Sequence, residues 1–421
     1  MNRMQREKEQ HALEQLQQGH LEEAEVIYRT LIEEGAVSYT VFCNLATVCG
    51  MQGRTQEIIY WLRKAISINP NLPDAYNNLG NALKEQSDLQ AAINAYRQAL
   101  AINPNLPKVY SNLGIALKDQ GDLPAAIDAY RQALSINPNL PNTYFNLGNA
   151  LKKQYNFRAA IDAYRQALSI NSNYPQAYNN LGIVLKSQGN LQAAIDAYRQ
   201  ALTINPNLPN TYNNLGIALL EQNDFQAAIN AFRQAVAIKA NYPEAYNNLG
   251  IALNEQGDLQ AAIDAFRQAV AIKTNYPEAY NNLGIALNVQ GDLQASVNIF
   301  RQALAINPNH AESYNNLGIS LKDQGDVQAA IDAFWQALAI NPDYPDAHCN
   351  LSQVQLLSGD YESGWKGYEW RFQVKDNPQP HAHPQVERWT GSNLAPGESL
   401  ILVSEQGLGD TLQFMRYVLY L

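Results

Sequence analysis

Residues 74–107 read DAYNNLGNALKEQSDLQAAINAYRQALAINPNLP, and residues 108–141 read KVYSNLGIALKDQGDLPAAIDAYRQALSINPNLP. The second stretch is the first repeated after 34 residues, and that interval decides the architecture. Further copies begin at Asn142, Gln176, Asn210, Glu244, Glu278 and Glu312, so eight near-identical units fill 74–345. Upstream, residues 1–73 hold two divergent units in the same frame, at 6–39 and 40–73. Downstream the frame continues in degraded form, and 346–375 reads as a capping unit.

Each unit contains two helices. In the first, Tyr76, Leu79, Gly80 and Leu83 fall at i, i+3, i+4 and i+7, which makes one buried stripe. Leu89, Ala92, Ile93, Tyr96, Ala99 and Leu100 do the same in the second. Between them stand short turns such as Ser87-Asp88, Gly121-Asp122 and Gly257-Asp258. Glycine suits a helix C-terminus, and the aspartate can cap the next helix. Asn103-Pro104 ends the second helix, because proline has no amide donor. Gly80 and Ala92 are small enough to let the two helices approach closely. One such hairpin cannot bury its apolar faces alone, so neighbours must stack into an all-α solenoid.

The set Tyr76, Leu79, Gly80, Ala92, Tyr96, Ala99 and Pro104 resembles the tetratricopeptide repeat signature, over about nine-tenths of the chain. The resemblance implies a right-handed superhelix whose first helices line a concave surface that binds protein or peptide. Ser172, Ala240 and Thr274 replace the proline in three units, which predicts looser connections there.

Opposite the buried stripe, the first helix of unit 74–107 carries Asp74, Asn77, Asn78, Asn81 and Glu85. The Asn78 position is constant: Asn112, Asn146, Asn180, Asn214, Asn248, Asn282 and Asn316 follow, with Asn44 and Asn350 at the ends. Asparagine is a middling-to-poor helix former, so local propensity does not explain the row. It resembles the asparagine ladder in the superhelix of the O-linked N-acetylglucosamine transferases, which grips extended peptide backbone. Packed helices lie about 8–10 Å apart, so ladder amides are expected to be too distant to satisfy one another. An extended peptide rises about 3.3 Å per residue, so one amide meets roughly every third residue. The alternative is that the amides bond within the scaffold. Beside the ladder, Asn81 and Asn149 alternate with Ile115, and isoleucine then continues at Ile183, Ile217, Ile251, Ile285 and Ile319. These form either an exposed apolar strip for a partner or a seam buried against adjacent helices. Unit 142–175 has four basic residues (Lys152, Lys153, Arg158, Arg165) against Asp162, whereas unit 312–345 has one basic and five acidic. That charge gradient either orients a charged ligand or is a solvated surface. Arg97, Arg131, Arg165, Arg199, Arg233, Arg267 and Arg301 predict regular surface salt bridges, and Trp335, in the same position, is expected to cover the end of the stack.

Composition narrows the function. A net charge of -10 argues against general nucleic-acid binding, which needs clustered Lys and Arg. No apolar run approaches the length of a membrane span, and MNRMQREKEQ has no signal-peptide core. Three cysteines, Cys43, Cys49 and Cys349, form no disulfide framework or zinc motif, and a cytoplasmic protein without cofactor is expected. Cys43 and Cys49 read as buried thiols. His381 and His383 lack further ligands, so no metal is expected.

The last residues differ. Tyr361, Trp365, Tyr368, Trp370 and Phe372 make an aromatic segment expected to close the core, followed by a Pro/His linker over 376–398. Over 399–421, the run Leu400 to Val403 reads as a strand, Glu405 to Asp410 as a glycine-containing turn and Thr411 to Leu421 as a helix. The turn has neither a complete Rossmann fingerprint nor a P-loop. Together with YESGWKGYEWRF and Arg388-Trp389, the block SEQGLGDTLQFMRY resembles the junction in tetratricopeptide proteins fused to heptosyltransferase-like glycosyltransferases. On that resemblance Leu408-Gly409-Asp410 matches the family's turn and Asp410 is a weak candidate for a catalytic base; a helix N-cap is the alternative. The chain reads as the truncated start of such a domain and is not expected to be catalytic itself. Two functions follow as expectations: a peptide-binding scaffold, or the acceptor-recognition region of a larger glycosyltransferase. End-to-end self-association of the near-identical units is a third.

Overall fold

In the computed structural model, which describes residues 1–374, the helical reading holds: among these residues there are 22 α-helices, one terminal 3-10 turn and no strand. The Pro/His linker and the strand–turn–helix of 399–421, with Asp410, lie outside the described residues. The chain forms two bodies, one spanning Met1–Lys239 and the other starting at Ala240. Each is a stack of antiparallel helical hairpins of the tetratricopeptide type.

The local signals act where the repeat places them. First helices such as Pro73–Glu85 and Pro141–Lys153 start with proline at the first turn, where a missing N–H costs nothing. Second helices are capped by a side chain: the Asp88 carboxylate accepts from the Ala91 amide at 3.1 Å, and Asp122 from Ala125 at 3.1 Å. Between them, Gly121 takes a left-handed φ of 97°, which lets the Asp122 amide donate back to the Leu117 carbonyl at 2.9 Å. Ser87, Tyr155 and Asn223 hold that conformation without being glycine. At two of the proline-free connections Asn171 and Lys273 have the extended backbone of Asn103, because the helix already ends two residues before the replaced proline.

Gly80 does more than allow close approach. A Cβ there would lie 2.5 Å from the Tyr96 ring, which is fully buried over the glycine. The same seat recurs at Gly114 under Tyr130, Gly148 under Tyr164 and Gly182 under Tyr198, then with Phe232, Phe266, Phe300 and Phe334. Burying each such ring contributes about 1.5–3 kcal/mol, so the hairpin is held by an aromatic knob in a glycine hole. Ala92, Ile93 and Ala99 complete the core of the hairpin.

The capping segment departs from expectation. Tyr361 and Trp365 are exposed, whereas Trp370 stacks on His348 with centroids 4.0 Å apart. The helix Tyr361–Tyr368 is held instead by Gly364 against Leu356, with Tyr361 and Trp365 turned outward and Tyr368 half-buried. Trp335 is 53% exposed and does not cover the stack, because its position points away from the core as the arginines do. Of those arginines, among the described residues only Arg131 and Arg267 form ion pairs, with Asp128 and Asp264 at 3.7 and 3.6 Å. Such exposed pairs contribute little.

Candidate functional site: the first-helix face

At the N-terminal end, first helices of three successive units enclose a concavity of about 560 Å³, lined among others by Arg6, Glu9, Cys43, Asn44 and Asp74. Asn44, the first ladder residue, thus faces open space. Cys43 is only half-buried in this wall, contrary to the expected buried thiol, while Cys49 is buried and its thiol is pushed up to about 11.

The ladder amides do not reach one another, but they are not isolated either. Asn112, Asn180, Asn214, Asn282, Asn316 and Asn350 each reach a different column in the preceding unit. Asn112 donates to the Asn77 and Asn81 carbonyls at 3.1 and 3.2 Å, and Asn214 to Asn179 at 3.1 Å. In the second body, Asn282 donates to Asn247 at 3.0 Å and Asn316 to Asn281 at 3.1 Å, with Asn350 donating to Asn315 at 2.9 Å. The residue at the Asn77 position decides the partner. Where Phe145 stands there, Asn180 turns to Asn149 at 2.8 Å. Where Ser111 stands there, its hydroxyl pairs with Thr143, and Asn146 makes no hydrogen bond among the described residues. Within a unit the network continues, for Asn179 donates to the Asn180 carbonyl at 3.2 Å and Asn315 to Asn316 at 3.4 Å. The acceptor column is buried in the second body, where Asn247, Asn281 and Asn315 are 4–5% exposed. Sequence reading placed Asn77 on this face without giving it a role; its 34-residue recurrence is the signal that marks it.

The neighbouring column is coupled to the aromatic knob. Tyr96 donates to Asn81 at 2.8 Å and Tyr164 to Asn149 at 2.8 Å. Where isoleucine occupies the position, as at Ile115 and Ile183, the buried hydroxyls of Tyr130 and Tyr198 have no partner. From Phe232 onward the ring has no hydroxyl, and Ile217, Ile251, Ile285 and Ile319 stand beside it. These isoleucines are half-buried except Ile285, which is exposed at 37%, so they form neither a fully open strip nor a closed seam.

A further column lies at the C-terminal end of the same helices. Lys118 pairs with Asp119 at 3.2 Å, and Lys186 reaches Glu221 in the next unit at 2.8 Å. Lys152 lies between them, half-buried, and its ammonium is shifted down by burial and then by the charge of Lys153. Among the described residues no cluster of His, Cys, Asp and Glu is suited to a metal, and no helix is long and apolar enough to cross a membrane.

This combination of paired helices, glycine-seated aromatics and an amide-lined first-helix face defines a tetratricopeptide repeat protein. Residues 5–239, more than half of the chain, match the family described as Cilia and flagella-associated protein 70 C-terminal domain, and the chain belongs to that family. Tetratricopeptide repeat families match residues 213–277 and 276–343. Among solved structures the chain is similar to MamA, at 29% identity over 39% of this chain and 98% of that one, with a TM-score of 0.38. It is also similar to YrrB, described as a TPR protein with an unusual peptide-binding site (22%, 44% and 96%, TM-score 0.40). A third is the APC/C hetero-tetramer Cut9-Hcn1 (14%, 87% and 92%, TM-score 0.46). No curated protein sequence matches the chain.

Proposed function

We propose that the protein is a scaffold that binds extended peptide segments of protein partners along its first-helix face. The carrying observation is that the amide row begins in an open concavity at Asn44 and keeps hydrogen-bonding capacity after joining the units. Asn180 spends one N–H on Asn149 and one lone pair on Asn179. A primary amide has a second N–H and a second lone pair, which match a peptide unit without reading its side chain. The half-buried isoleucines supply apolar contact beside this row.

The reading is tested by changing Asn112, Asn180 and Asn214 together to alanine and screening both proteins against peptide arrays, then titrating the best binder. Each hydrogen bond contributes a net of about 0.5–1.5 kcal/mol, so affinity should fall by roughly a hundredfold. Changing the outward Arg165, Arg199 and Arg233 to alanine should leave it within about twofold. Because the amides also join units, helical content and melting are measured on every variant. Undiminished binding by a folded asparagine variant would reduce the ladder to scaffold.

A second reading, presentation of acceptor polypeptides to a glycosyltransferase domain, rests on the sequence resemblance of YESGWKGYEWRF, Arg388-Trp389 and SEQGLGDTLQFMRY and uses the same groove. End-to-end self-association is the competing use of the repeat ends, and light scattering across a concentration series separates it from peptide binding.

A further inference from the structure

The helix Pro141–Lys153 is where the internal network of the first body breaks, in two independent ways. Its ladder amide, Asn146, has no hydrogen-bond partner among the described residues: the Asn77 position is Ser111, paired with Thr143, and the Asn81 position is Ile115, which offers no acceptor. Its lysines pair with no carboxylate among the described residues either. The residue after the column lysine is acidic at Glu85 and Asp119, but here it is Lys153. The residue that would meet Lys152 from the next unit, by the geometry that joins Lys186 to Glu221, is Ser187. Asn146, Asn149 and Lys153 fall at i, i+3 and i+7, with Lys152 adjacent, so the unspent amide and the uncompensated charge share one helix face.

We infer that this face is an anchor subsite for an acidic side chain of the bound peptide: Lys152 and Lys153 take the carboxylate, and Asn146 the backbone about two turns of the helix away. The inference rests on the peptide-groove reading and adds a preference to it. Two adjacent ammonium groups, one half-buried, repel each other in the free protein, and a carboxylate placed between them relieves that repulsion. The paired lysines on either side offer no such opening, which fixes the register of the ligand along the amide row.

The probes are two fluorescein-labelled peptides, (Thr-Ser-Glu)6 and (Thr-Ser-Gln)6, titrated by anisotropy against the full chain. A charge at every third residue matches the repeat spacing, so some glutamate reaches the subsite in any register. The glutamate peptide should bind at least tenfold more tightly at low salt. Lys152→Gln with Lys153→Gln should remove that advantage and leave the glutamine peptide unchanged. Ser187→Glu, which keeps both lysines and supplies an internal carboxylate, should weaken the glutamate peptide severalfold. An equal response of the two peptides to these variants would overturn the subsite while leaving the groove reading intact. Failure of both peptides to bind would overturn both readings, and an oligothymidylate of matched charge that binds more tightly than the glutamate peptide would overturn the assignment to peptide.

Discussion

Four consecutive tyrosines seated on glycine give an internally controlled experiment on what holds a repeat together. Tyr164 donates to Asn149 at 2.8 Å, whereas Tyr198, one unit later, is equally buried and has no partner because Ile183 replaces the asparagine. Replacing Tyr164 with phenylalanine removes one hydrogen bond. Asn149 still accepts from Asn180, so no new orphan is created, and the cost should be about 0.5–1.5 kcal/mol. Replacing Tyr198 removes a hydroxyl that lost its water on folding and gained nothing. Leaving such a group unsatisfied costs about 1–3 kcal/mol, so after the lost contacts of the oxygen the variant should gain about 1 kcal/mol. The two identical substitutions should therefore have opposite signs. A stacked array need not unfold in one step, so the readout must be local. Hydrogen exchange of the helices Phe157–Ile170 and Leu191–Ile204 is suited to this, with protection falling about fivefold in one and rising about fivefold in the other. Equal loss of protection in both variants would refute the reasoning. Ile183→Asn in the wild-type background should in turn offset its lost apolar burial by giving Tyr198 an acceptor.

Two further outcomes follow from the same geometry. Gly182→Ala places a Cβ 2.5 Å from the buried Tyr198 ring and should cost about 1–3 kcal/mol by overpacking; Gly50→Ala meets only Ile58 at 3.6 Å and should be neutral or stabilising, both read from denaturant melts. In the first two units Glu25 and Glu57 are each bonded by Arg29 and Arg54; burial pushes both carboxyls up, but these partners outweigh it and hold them below the ordinary range. A lowered folded value gives stability that is full above the unfolded value of about 4.3 and lost as pH falls through the folded one, so hydrogen exchange should show these units loosening under acid before the regular repeats.

The sequence by itself determined the period, the two helices per unit and the stripe each buries, because a 34-residue repeat turns eight copies into eight readings of the same local signals. Asp88 as a cap, Gly121 as a left-handed stop and Asn103 as a terminus were all legible, since each acts within a few residues of itself. Pairings between units were not. Whether Asn112 meets Asn77 depends on the offset between stacked helices, which no periodicity within one helix encodes. For the same reason the isolation of Asn146 emerged only when Ser111 and Ile115 of the preceding repeat were set against it, and the unmatched charge of Lys152 only from the offset that joins Lys186 to Glu221 and sets Ser187 at the equivalent place. Short-range chemistry is written along the chain; which polar groups remain unspent is decided by what the next repeat sets against them.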